Sequence, residues 1–138
     1  MRDSRLTLGY IHLAAANPRR LAMHQGLIRL WCRENHRPLN EIYFDLGRHR
    51  SARDELRERL ADQAGGLVVV PALHHLTWDG SELLDLLEPF FEKGGPALVA
   101  LVDRFDSRTQ TGRLLFQIQR SIESVVGVPH RRDGMTLH

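Results

Sequence analysis

Two stretches of this chain are apolar almost from end to end, GLVVVPAL (66–73) and PALVALVD (96–103). A strand with one wet face alternates apolar and polar residues. A β-branched run that does not alternate is covered on both faces, as in a parallel sheet held between two layers of helices. Two further strands suit the same sheet: LTLGYIHLA (6–14), which alternates and then runs apolar, and EIYFDL (41–46).

Helical spacing fills the gaps between them. Asn17 is placed to cap a helix with Pro18 in its first turn, and Leu21, Leu27, Ile28, Leu30 and Trp31 recur along it to about residue 35. Ser51 is expected to cap a second helix, with Leu56 and Leu60 on one face, that ends near residue 64 before Gly65 and Gly66. Asp79 or Ser81 opens a third, which carries Leu83, Leu84, Leu86 and Leu87 and closes at Gly94 and Gly95. Thr109 or Thr111 caps the last, containing Leu114, Leu115, Ile118 and Ile122, and Gly127 and Pro129 stop it. The alternation βαβαβαβα predicts a single-domain, three-layer α/β/α fold with a mostly parallel sheet and right-handed crossovers. In this reading residues 1–126 form the domain and 127–138 a flexible C-terminal tail.

Composition narrows the setting. The 138 residues suffice for one core without staples, and 42% hydrophobic with 26% charged residues is the balance of a globular chain. Cys32 is the single cysteine, so no internal disulfide can form and a reducing, cytoplasmic location is expected. No apolar run approaches the length of a membrane span, and MRDSRLTLGY lacks the features of a signal peptide. A net charge of +2 is too small to establish a nucleic-acid partner. Lys93 is the only lysine; an arginine bias suits phosphate contacts, though a GC-rich genome imposes the same usage.

Ligands of open α/β sheets sit beyond the carboxyl ends of the strands, where strand order reverses. The segments leaving those ends here are 12–17, 45–53, 72–79 and 103–111. They are rich in histidine and arginine: His12, Arg48, His49, Arg50, Arg53, His74, His75, Arg104 and Arg108. The first of them, however, is mostly Ala14, Ala15 and Ala16, which offer no side-chain chemistry.

The content and order of these segments resemble the catalytic domain of the serine recombinases, the resolvase and invertase family. The matching stretches are YIHLA (10–14), DLGRHRSARDEL (45–56), LVVVPALHHLTWD (67–79) and FDSRTQTGRLLF (105–116). In the last, Asp106, Ser107, Thr109, Gly112, Arg113, Leu114 and Phe116 fall in register. The resemblance spans roughly residues 6–122 and implies a resolvase catalytic-domain-like fold. It implies an activity in which a serine oxygen attacks a DNA phosphodiester and arginines stabilise the charge, with no metal and no cofactor. It also implies possible partners: a second copy, or a hetero-complex with another recombinase-like protein.

The departures from the family pattern fall on its working groups. The serine position is Ala14, the arginine two residues before it is His12, and the third motif's aspartate and two arginines fall on His74, His75 and Trp78. Only the arginine at the start of the second helix keeps its type, as Arg53. Alanine cannot act as a nucleophile. The residues matching the family site are therefore not expected to be catalytic, and rescue by Tyr10, Ser51 or Ser107 is disfavoured. A non-cleaving interaction or regulatory module, binding DNA only weakly alone, is the leading expectation. A phosphate or nucleotide module using Arg53, His12, His75 and Trp78 is the first alternative, and a DNA-binding recombinase with residual strand exchange is the second. A metal site is ranked below these, because His74 and His75 would point in opposite directions on a strand end. For Trp78 the plain alternative is packing over the third helix, and for Arg53 a solvated position in a first helical turn.

Overall fold

The structure is a computed structural model and describes residues 5–61 and 63–122. In chain order its elements are β1 (Thr7–Leu13), α1 (Pro18–Glu34), β2 (Glu41–Leu46), α2 (Ser51–Ala61) and β3 (Leu67–Val70). A 3-10 turn at Leu73–His75 follows, then α3 (Gly80–Leu87), a second 3-10 turn at Glu88–Phe91, β4 (Ala97–Ala100), β5 (Phe105–Asp106) and α4 (Gln110–Ile122). The five strands form one sheet in the order β2-β1-β3-β4-β5. The first four are parallel, and β5 runs antiparallel to β4.

The order reverses at β1. The chain leaves β1 for β2 on one side and returns over β1 to reach β3 on the other. With right-handed crossovers, a change of direction puts the connecting helices on opposite faces. Side chains divide accordingly. Ile11, Leu13, Val69 and Val99 pack with Ile28 and Cys32 of α1. Tyr10, Val68, Val70 and Leu98 pack with Leu56 and Leu60 of α2 and with Leu86 and Leu87 of α3. The alternation within each strand is the period-2 pleat, so both faces of the central strands are dry. Gly9 lets α1 approach: a Cβ there would lie 3.1 Å from both Ile28 Cγ2 and Ile42 Cγ1. Burial also pushes the Cys32 thiol pKa up.

Several sequence expectations needed correction. The third helix is not continuous to Gly94, because Pro89 has no N–H to extend it and the chain tightens into a 3-10 turn. The strand expected over 66–73 ends at Val70, before Pro71, and the one expected over 96–103 ends at Ala100. There Arg104 adopts a left-handed φ of 53° and turns the chain back into β5, which was not expected. Asn17 and Asp79 cap α1 and α3 as expected, accepting from the amides of Arg20 and Ser81. Thr109 Oγ1 accepts from the Gly112 amide at the start of α4. Ser51 is not the cap of α2: Asp45, at the end of β2, accepts from the amides of Ala52 and Arg53 at 3.0 and 2.9 Å. Gly127, Pro129 and the expected tail lie outside the described residues.

Candidate functional site

At the carboxyl ends of β1 and β3, on the α1 side of the sheet, a cleft of about 360 Å³ opens between residues 12–17, the first turns of α1 and the segment 74–78. It brings together five of the six expected positions: His12, Ala14, His74, His75 and Trp78. The last strand residues and the turn after β3 place them there, at the reversal of strand order.

His12 is held at both ends. Its backbone N–H donates to His75 Nδ1 at 2.9 Å, and its ring Nε2 lies 2.6 Å from the carbonyl oxygen of Gly47. A carbonyl only accepts, so Nε2 carries the proton and Nδ1 of His12 is left as an acceptor. That Nδ1 is buried and has no hydrogen-bond partner. His75, 2% exposed, must keep its own Nδ1 bare to accept the His12 amide. Its ring centroid lies 4.8 Å from those of both His24 and His74.

The 3-10 turn sets His74 and His75 side by side with their rings tilted by 31°, which corrects the expectation that they diverge on a strand. Even so, no group of three or more His, Cys, Asp or Glu among the described residues could hold a metal ion. Trp78 is 62% exposed and meets the His12 ring edge-to-face at 4.7 Å.

Burial sets the electrostatics of this cluster. The His75 pKa is pushed down to about 3, first by burial and then by repulsion that a protonated ring would meet from His24, His74, His12 and Arg50. Burial lowers His12 as well, against the opposing bond to Gly47, and lowers His24 together with Arg20 and His74. With their pKa values lowered, His12, His24 and His75 are neutral near pH 7. Among the described residues, the only lysine or arginine lining the cleft is Arg20. None of the described lining residues carries a hydroxyl or a thiol.

Arg53 is the expected site residue that the fold takes elsewhere. It lines a separate groove of about 800 Å³ on the α2–α3 side, with Leu56, Leu60 and Phe90. It is buried, not solvated: its guanidinium donates to the Leu76 carbonyl and lies 3.6 Å from Glu82. The other hydroxyl groups are also committed or distant. Tyr10 is fully buried and its hydroxyl donates to Asp45 Oδ2 at 2.7 Å, while Ser107 Oγ accepts from the Leu98 amide. Ser51 is exposed at the start of α2 and does not line the cleft.

Sequence reasoning missed Arg20 and His24 as members of the site. The available signal was their spacing from Asn17, which puts one face of the first turns of α1 against the β1 loop. Arg50, one of the arginines noted at the strand ends, donates through its guanidinium to the Tyr10 hydroxyl at 3.0 Å and the His75 carbonyl at 2.8 Å and so ties three segments behind the cleft.

Comparison with known proteins agrees with this architecture. The N-terminal catalytic domain of TP901-1 integrase superposes with a TM-score of 0.76 at 16% identity, over 88% of this chain and 95% of that one. A resolvase family site-specific recombinase from Streptococcus pneumoniae gives a TM-score of 0.76 at 15% identity, over 96% of this chain and 94% of that one. At such identities the likeness establishes the fold. No curated protein matches the chain by sequence. The sequence pattern of the family described as "Resolvase, N terminal domain" does match, over residues 9–126, and by that match the chain belongs to the resolvase N-terminal domain family.

Proposed function

We propose that this chain is a recombinase-fold domain without strand-cleaving activity, serving as an interaction or regulatory module linked to DNA recombination. One observation carries the reading: among the described residues, none that lines the cleft holding Ala14 offers a hydroxyl or thiol nucleophile. Covalent catalysis on a phosphodiester needs such a group. Loss of a single donor to a developing oxyanion costs about 10²–10³ in rate. Here neutral imidazoles and an indole stand where the family pattern has guanidinium groups, and groups that act as a unit are not replaced one by one.

The surface for association in this reading is α4, where Leu114, Leu115, Ile118 and Ile122 are all about half exposed. A contiguous apolar stripe of that kind marks an interaction site on a folded domain. Its partner is a second copy or another recombinase-like chain, and sedimentation of the purified protein distinguishes monomer from assembly. DNA contact by this chain alone is expected to be weak. No helix among the described residues is long and apolar enough to cross a membrane.

The decisive experiment is an adduct assay on supercoiled and suicide DNA substrates. No covalent protein–DNA species is expected from the natural chain. An adduct abolished by Tyr10→Phe, Ser51→Ala or Ser107→Ala would overturn the proposal.

A further inference from the structure

We infer that the cleft at the carboxyl ends of β1 and β3 is a binding site for an amino-bearing nucleobase, stacked on Trp78 and donating a hydrogen bond to His12 Nδ1. The inference rests on the reading that this cleft is not a cleavage centre. Three observations point to the same ligand chemistry.

The first is an unmet acceptor. Nδ1 of His12 is fixed as a lone pair by the Gly47 bond on the opposite ring nitrogen, and nothing pairs with it. Buried polar atoms are nearly always satisfied, so an orphan acceptor in a residue that lines the cleft asks for a donor. His24, half-buried across the cleft, has a second unpartnered Nδ1. The second is Trp78, which leaves most of its indole uncovered at the cleft mouth. An exposed indole presents a π-face on which a planar heteroaromatic ring stacks.

The third is charge. A site built for phosphate gathers guanidinium groups, whereas among the described residues this one has only Arg20 on its lining, and Arg50 and Arg53 are hydrogen-bonded to the His75 and Leu76 carbonyls. Its chemistry suits a neutral ring with exocyclic N–H donors, as in adenine or cytosine. Its volume lies within the range of small-molecule sites.

The test is a tryptophan-fluorescence titration of the full chain with adenosine, cytidine, thymidine and inorganic phosphate. Adenosine and cytidine are expected to quench saturably, thymidine to bind more weakly for want of an exocyclic amine, and phosphate not at all. Trp78→Ala should weaken adenosine binding about 5- to 150-fold, the range of one base–aromatic stack, and Trp78→Phe should restore most of it. Thermal shift reads the alanine variant, which loses the reporter. In the natural chain, the ¹⁵N resonance of His12 Nδ1 should move towards a hydrogen-bonded position on saturation. A short strand of deoxyadenosines separates the sources of the ring: binding of the nucleoside assigns a free ligand, and binding of the strand alone assigns an unpaired base. Absence of binding by every nucleoside and by the strand, equal binding of phosphate, or an unchanged affinity in Trp78→Ala would overturn the site. Any of those results leaves the non-cleaving reading standing, and a covalent adduct would overturn that reading without altering the titration.

Discussion

The backbone N–H of His12 donates to Nδ1 of His75 across 2.9 Å, joining the end of β1 to the turn that follows β3. The bond exists only while that nitrogen is unprotonated. With its pKa at about 3, against 6.5 ordinarily, folded His75 refuses a proton that the unfolded chain accepts anywhere between those values. Stability is therefore complete above pH 6.5 and falls as the pH drops towards 3. His12 and His24 are lowered too and act in the same direction. Burial raises Asp106, but its bonds to Arg108 outweigh this and hold it below 3.8, so its own contribution is lost only under that pH. Urea midpoints should be lower at pH 4.5 than at pH 7.5, and His75→Asn should shrink the difference. A flat profile would contradict a neutral His75.

Gly112 lies in the first turn of α4, where helix propensity alone favours alanine over glycine by about 1 kcal/mol. The structure predicts the reverse. A Cβ on Gly112 would stand 2.2 Å from the carbonyl oxygen of Asp106, which is backbone and cannot swing away. Gly112→Ala should lower the unfolding free energy by about 1–3 kcal/mol, read from chemical denaturation.

Arg53 is a structural group in this fold. Arg53→Ala removes the donor to the Leu76 carbonyl and the ion pair with Glu82. The expected cost is about 1–3 kcal/mol, by urea unfolding.

Tyr10→Phe tests the network behind the cleft. The phenol both donates to Asp45 and accepts from Arg50, and its pKa is raised, mainly by burial and by the bond to Asp45. Removing one oxygen leaves both partners short of a bond in a dry setting. A loss of about 1–3 kcal/mol is expected, with the circular dichroism spectrum unchanged.

Much of the fold was legible because its signals are local. The unbroken apolar runs at 67–70 and 97–100 required a sheet covered on both faces, and Asn17 and Asp79 announced helix starts through bonds to amides two or three residues on. The two-residue strand β5 was not legible, since Phe105–Asp106 is too short to show a period. The cap of α2 was hidden for another reason: Ser51 has the right local position, but Asp45 reaches the amides from seven and eight residues away, across a loop.

The sequence by itself determined the layers, the parallel sheet and the presence of alanine and histidine where the family pattern has serine and arginine. Those follow from side-chain periodicity and motif spacing, which act over a few residues. Only the tertiary structure decided that Arg53 leaves the cleft, that His24 and Arg20 enter it, and that His12 meets His75 from 63 positions away. Such meetings depend on the order of strands in the sheet and on which carbonyl each buried donor finds, and no local pattern encodes either.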